Sequence, residues 1–289
     1  MANTLSSKTL RDKYRSSQVQ LALMNNLVAE KVCLVDRTEL YTISSPYLST
    51  SVTATVQALT GTYTPAAVTT LTDTLTVADE VLAPTHIFDF EAVTAAFDLF
   101  YMAHQAIANA MVQAIDKFVV NELCEGGTEA YTTPAGGLTT SGNVITIISK
   151  IISYCAGYAD PMGGLYLIVE NTDLTGILPA AVSYGFSFAD QVLANGRVAQ
   201  IMGVDIYVIR DSTFVDAAAT TASGSKTWTN SGHRVGGVKN VTTYASPRGL
   251  KFEEKDRTGY TGKEVVGIGY IGFKQWTPWA ALTMDITLA

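Results

Sequence analysis

Charge is scarce in this chain. Only 16% of its 289 residues are Asp, Glu, Lys or Arg, against about a quarter in an ordinary soluble domain. Hydrophobic residues make up 47%. A soluble chain with this balance is expected to bury surface beyond its own core, which points to an assembly. The net charge of −7 gives no overall footprint for nucleic acid. The local exception is the N-terminus, where Lys8, Arg11, Lys13 and Arg15 stand against Asp12 alone.

Cysteine is also scarce. Cys33, Cys124 and Cys155 are odd in number, far apart and without a CxxC pair. That spacing argues against a disulfide framework or a zinc site and leaves buried reduced thiols as the expectation. There are three histidines, His86, His104 and His233, none at a metal-ligand spacing. His104 falls inside an apolar helical stripe, where a hydrogen-bonded packing role is expected. No apolar run reaches the length of about 18 residues that a membrane span needs. "MANTLSSKTLRDKYRSS" lacks an apolar signal core. The protein is therefore expected to stay in a cytosol, or in something assembled there.

Catalytic patterns are equally thin. "GFSFA" at 185–189 is one glycine short of a nucleophile elbow, so Ser187 is expected to be an ordinary residue. "GIGYIG", Gly267 to Gly272, matches GxGxxG, but "FKQWTPW" follows where a dinucleotide site needs a helix. Glycines of a twisted strand are the better reading. "EEKD" at 253–256 reads as a solvated turn. No catalytic, cofactor-binding or metal residue is nominated, and an enzyme is not expected.

Threonine is abundant. "TSVTATVQALTGTYTPAAVTTLTDTLT", Thr50 to Thr76, holds eleven threonines and one charge, Asp73. Val52, Ala54, Val56 and Ala58 alternate with polar residues, and so do Leu71, Asp73, Leu75 and Val77. The stretch reads as two strands joined at the "GTYTP" turn. An isolated hairpin is marginal in water, so this one is expected to lie on something else. An edge hairpin of the chain's own sheet is the alternative.

The clearest periodicity follows. Phe90, Val93, Phe97, Phe100, His104, Ile107, Met111, Ile115 and Phe118 step by three and four, which predicts a helix over 90–123, a rod of roughly 50 Å. A coiled coil is disfavoured by the near absence of flanking charges. An extended arm should precede a helix at 17–31. Residues 141–158 predict a second helix with Val144, Ile148, Ile151, Ile152 and Cys155 on one face. "GGLYLIVE" and Val204 to Ile209 predict buried strands, and a helix starts at Thr172 or Asp173. "DSTFVDAAATTASGSKTWTNSG", 211–232, predicts an exposed loop, and short strands follow 233.

In this order the parts resemble the major capsid protein of tailed bacteriophages, the Hong Kong 97 fold shared with encapsulin shells. "ANGRVAQIMGVDIYVIRD", with Gly196, Gly203, Val204 and Tyr207, is similar to one family strand. "KEVVGIGYIGFKQWTPWAALTMDI", with Gly272, Phe273, Trp276 and Trp279, is similar to its returning strands. The resemblance implies an α+β fold with an N-terminal arm and helix (1–41), an extended loop or E-loop (42–85), a peripheral P-domain with a spine helix (86–134), an axial A-domain (135–245) and return strands to the P-domain (246–289).

It also implies a function. The chain would self-assemble into hexamers and pentamers of an icosahedral virion shell around double-stranded DNA, built in the host cytoplasm. Val56, Leu59, Tyr63, Val68 and Leu71 would touch neighbouring subunits. Lys8, Arg11, Lys13 and Arg15 would face inside, against packaged DNA bound without specificity. Portal, scaffolding and decoration proteins are implied partners, and a membrane is not. The arm begins almost at Met1, so no internal scaffolding domain is expected. Two other classes stay open: an encapsulin-type compartment, and a surface-layer or adhesin protein.

Overall fold

The computed structural model describes residues 27–37, 41–48, 61, 69–88, 99–183, 197–221, 224–247, 250–256 and 261–289. Two sheets and one long helix organise them. The larger sheet has six strands in the order β5 (Glu129–Thr132), β15 (Thr283–Thr287), β11 (His233–Val238), β6 (Leu165–Glu170), β8 (Val204–Ile209) and β7 (Arg197–Ile201). The β6–β8 and β15–β5 pairs are parallel, and the others are antiparallel.

Strand β6 reads as an unbroken apolar run because both of its faces are covered. Leu165, Leu167 and Val169 pack with Val144, Ile147, Ile148, Ile151 and Cys155 of helix α3 (Ser141–Met162), and with Ile177 and Ala180 of helix α4 (Leu174–Ser183). Tyr166 and Ile168 point the other way, into a cluster with Ile115, Phe118, Val119 and Leu123 of helix α2 (Leu99–Gly126). The expected face of α3 is therefore present, with Ile147 added and Ile152 only half-buried.

Helix α2 joins the two sheets. Its 28 residues make a rod of about 42 Å. The first half lays Ile107 and Met111 on Val265 and Ile87 of the smaller sheet. The second half lies on the six-stranded one. Residues 89–98, the expected start of this helix, lie outside the described residues. So do residues 1–26, which include most of the helix expected at 17–31. The described chain has a four-residue helix α1 (Ala29–Val32) there.

The smaller sheet is built on the 13-residue β14 (Lys263–Gln275). One edge pairs with β4 (Asp79–Ile87). The other pairs first with β12 (Thr242–Ala245), then with β13 (Leu250–Asp256). Strand β1 (Leu34–Asp36) runs parallel to β12. Gly267 is where α2 crosses β14. A Cβ there would sit 2.4 Å from Ile107 Cγ2 and 2.4 Å from Met111 Sδ, so only glycine lets helix and strand approach this closely.

Several expectations change. "EEKD" is no turn but the end of edge strand β13, where Glu253 lies between Lys251 and Lys255 and bonds both. Residues i and i+2 share a strand face, so charges can line an exposed edge without breaking it. The segment 211–232 is no simple loop. Strands β9 (Asp216–Thr221) and β10 (Gly224–Thr229) pair as a hairpin, and buried Trp228 packs edge-on against Phe118 and donates to Glu122 Oε1 at 3.0 Å. Strands β13 and β14 lie in the smaller sheet, whereas β15 lies in the larger, between β5 and β11.

Candidate assembly interface

Strand β3 (Thr70–Thr76) pairs antiparallel with β2 (Thr42–Leu48) in a two-stranded ribbon. The sequence reading took 52–58 as the first arm of this hairpin. Local alternation marks a strand but not its partner, and the observed partner of 70–76 lies ten residues earlier. Residues 49–60 and 62–68 lie outside the described residues, and with them the predicted contacts Val56, Leu59, Tyr63 and Val68. The basic residues Lys8, Arg11, Lys13 and Arg15 also lie outside, as does Ser187.

The register puts Ile43 opposite Leu75, Ser45 opposite Asp73, and Tyr47 opposite Leu71. Successive residues of a strand alternate faces, so these six share one side of the ribbon. The other side is Thr, Ser and Pro, with Leu48 at its end. Burial fades along the apolar side: Leu75 is 1% exposed, whereas Leu71 is 45% exposed. Leu48 is 56% exposed. The ribbon is thus seated on the body at one end and carries bare apolar groups at the other. Among the described residues, β2 pairs only with β3, which leaves its outer edge open.

The seat is made by β14 and the 3-10 turn Thr277–Leu282. Gly272 admits the chain leaving β3: a Cβ there would lie 3.0 Å from Val77 Cα and 3.1 Å from Thr76 O. Asp73 Oδ2 accepts from Thr277 N at 3.0 Å and Thr277 Oγ1 at 2.8 Å. Its Oδ1 lies 2.8 Å from Lys274 Nζ and accepts from Thr74 N at 3.0 Å. Desolvation alone would raise this carboxyl, but bonds from Lys274 and Thr277 outweigh it and hold it at about 2. Sequence reasoning singled out Asp73 as the one charge of its stretch. Its partners 200 residues onward carried no local signal.

A second polar cluster is structural. Arg234 of β11 donates through Nε to Asp173 Oδ2 at 2.5 Å and through a terminal nitrogen to Glu170 Oε2 at 2.9 Å. Its guanidinium stacks 5.0 Å from the Phe214 ring. Glu170 Oε1 also accepts from Thr213 N at 3.0 Å, while Asp173 takes the Glu170 N–H at 2.9 Å. The cap expected at Thr172 or Asp173 falls earlier: Glu170 is the N-cap, and Asp173, three residues on, bonds back to it while holding Arg234.

The histidines and cysteines noted in the sequence do not converge on chemistry. His104 Nδ1 donates to Phe100 O at 2.7 Å, and its ring meets Phe252 edge-on, a packing arrangement. His86 lies in β4 against Phe88, and His233 pairs with Asp285 at 2.9 Å. Cys33, Cys124 and Cys155 are buried and form no disulfide. Burial pushes Cys33 up to about 12. "GIGYIG" lies inside β14, hydrogen-bonded on both edges. A cleft of about 720 Å³ opens between α2 and residues 208–213 and holds Asp116, Lys117 and Arg210. Among the described residues, no three His, Cys, Asp or Glu side chains group as a metal site, and no helix is long and apolar enough to cross a membrane.

Comparison with known proteins adds the fold. The chain is similar to the capsid structure of the cyanophage P-SCSP1u over 100% of its own length and 97% of that chain, with a TM-score of 0.66 at 14% identity. It is similar to the capsid of an empty GTA particle over 100% and 95%, with a TM-score of 0.65 at 14% identity. A virus-like particle from Pyrococcus furiosus matches 92% of this chain and 95% of that one, with a TM-score of 0.58 at 10% identity. No family model matches the chain, and no curated protein matches it by sequence. The protein has the α+β Hong Kong 97-type capsid fold.

Proposed function

We propose that this protein is the major capsid protein of a tailed-phage head, building hexamers and pentamers that close into an icosahedral shell around double-stranded DNA. One observation carries the reading: the likeness to capsid shell proteins runs from end to end of both chains. Its role is structural rather than enzymatic.

In this reading the β2–β3 ribbon is the root of the extended loop, α2 is the spine helix, the smaller sheet belongs to the P-domain and the larger to the A-domain. The ribbon lies across a neighbouring subunit. Its open β2 edge and bare Leu71 and Leu48 suit main-chain pairing and apolar contact with a second copy. Val56, Leu59, Tyr63 and Val68 join that contact. Rings of such heterologous contacts close into shells. Lys8, Arg11, Lys13 and Arg15 face the interior, where a few cations meet DNA without reading sequence. Portal, scaffolding and decoration proteins are its partners in a virion assembled in the host cytoplasm.

An encapsulin-type compartment is the second reading, favoured by the likeness to the Pyrococcus virus-like particle. Nuclease treatment of particles purified from producing cells separates the two. Protected double-stranded DNA of uniform length supports the phage head. Particles holding only protein cargo support the compartment and overturn the first reading.

A further inference from the structure

We propose that Asp73 is a positioning residue for assembly: it fixes the direction in which the β2–β3 ribbon leaves the body, without touching the neighbouring subunit. The inference rests on the shell reading above.

The chain spends its only charge between Thr50 and Thr76 at this position. Asp73 sits on the apolar side of the ribbon, between buried Leu75 and exposed Leu71. Its carboxylate is only 12% exposed and faces the protein's own body. Thr277 N, Thr277 Oγ1 and Lys274 Nζ, all about 200 residues away in sequence, converge on it. A group committed this way has little left to offer a partner.

The geometry explains why a third point is needed. Leu75 is packed, and the chain at Thr76–Val77 is pressed onto Gly272. These two contacts are neighbours in sequence and rest on packing, so they resist pulling but permit rocking. Asp73 adds a directional tie further along, to a different element. The described ribbon is seven residues long, about 23 Å, so a tilt of about 10° at the root moves its far end by about 4 Å. That exceeds the tolerance of close-packed contacts. In a closed ring the same error recurs at every subunit.

Lys274, the cation of the pair, is 32% exposed and stays solvated without Asp73, so loss of Asp73 should act on direction more than on folding. The test uses the full chain with spin labels at Thr70→Cys on the ribbon and Lys263→Cys on the body. It compares Asp73, Asp73→Asn and Asp73→Ala. Three readouts are taken: the melting temperature of unassembled subunits, the label-to-label distance distribution, and the yield and diameter of shells from unlabelled protein.

The expected result is an Asp73→Ala subunit that melts within a few degrees of the parent, a distance distribution at least twice as broad, and shells reduced at least tenfold or scattered in diameter. Asp73→Asn, which keeps an acceptor for Thr277, should fall between. An unchanged distance distribution with shells of normal yield and size overturns the proposal. Should Asp73→Ala fail to fold, Lys274→Ala, which leaves both Thr277 bonds, carries the same test. If the parent itself forms no shells while Asp73→Ala broadens the distances, the shell reading fails and the ribbon tie stands.

Discussion

Asp116 of α2 accepts the backbone N–H of Ala29 at 2.9 Å, and that of Val28 at 3.2 Å, so a carboxylate from the long helix caps the short one. Helix α1 has no side-chain cap of its own. An unsatisfied helix N-terminus needs some acceptor, and here it comes from 87 residues away. The bond ties the first described segment of the chain to the rod between the two sheets.

The cap has a pH signature. Burial raises the Asp116 carboxyl to about 6 from 3.8, against the lowering effect of the Ala29 and Val28 N–H groups. The folded state therefore holds this proton more tightly than the unfolded chain. Its contribution is fully present below pH 3.8 and is lost as pH rises through about 6. Asp116→Asn keeps an acceptor and removes the titration. The difference in melting temperature between parent and variant should move in the variant's favour from pH 4 to pH 7. Parallel curves would contradict the assignment.

Gly267 should tolerate no side chain while α2 keeps its seat. Gly267→Ala places a methyl 2.4 Å from Ile107 Cγ2 and Met111 Sδ, and overpacking of this kind costs about 1–3 kcal/mol. Met111→Ala should recover part of that loss in the double variant, because both changes share one space. Denaturant unfolding of the four proteins measures the coupling.

Removing Arg234 should be the most damaging single truncation in the larger sheet. Arg234→Ala leaves Asp173 and Glu170 without their cation in a site where the arginine is 4% exposed. Breaking one side of a buried ion pair costs about 3–5 kcal/mol. Arg234→Lys should recover little, since an ammonium cannot match two carboxylates and stack on Phe214. Thermal melts of the two variants check the order.

Leu71 separates folding from assembly. It is 45% exposed in the isolated chain, so Leu71→Ser should shift subunit stability by no more than about 0.5 kcal/mol. It should nonetheless lower shell yield severely, because the exposed side chain is assigned to the neighbour's surface. Melting temperature and sedimentation of the same sample read both effects.

What sequence made legible follows from how far each signal reaches. The three-and-four stripe through Ile107, Met111, Ile115 and Phe118 marked α2, and the run Leu165 to Val169 marked a strand covered on both faces. Those are local patterns of burial. Strands β9 and β10 were missed because "DAAATT" and "GSKTWT" carry no alternation of large apolar residues. Trp228 was the one available sign that something there is packed. The charges of "EEKD" hid an edge strand, since exposure of one face leaves nothing apolar to alternate. Pairings across the chain had no signal at all: β3 with β2, Arg234 with Asp173, Asp73 with Thr277. Register and long-range partners are set by tertiary packing, which a window of ten residues does not contain.

The central claim is that this chain builds a closed container. The direct test is electron microscopy with light scattering on the purified, untagged chain across a concentration series. Rings of five or six subunits that give way to hollow shells of uniform diameter are the predicted result. A monodisperse monomer at every concentration, both alone and with the scaffolding protein added, would contradict it.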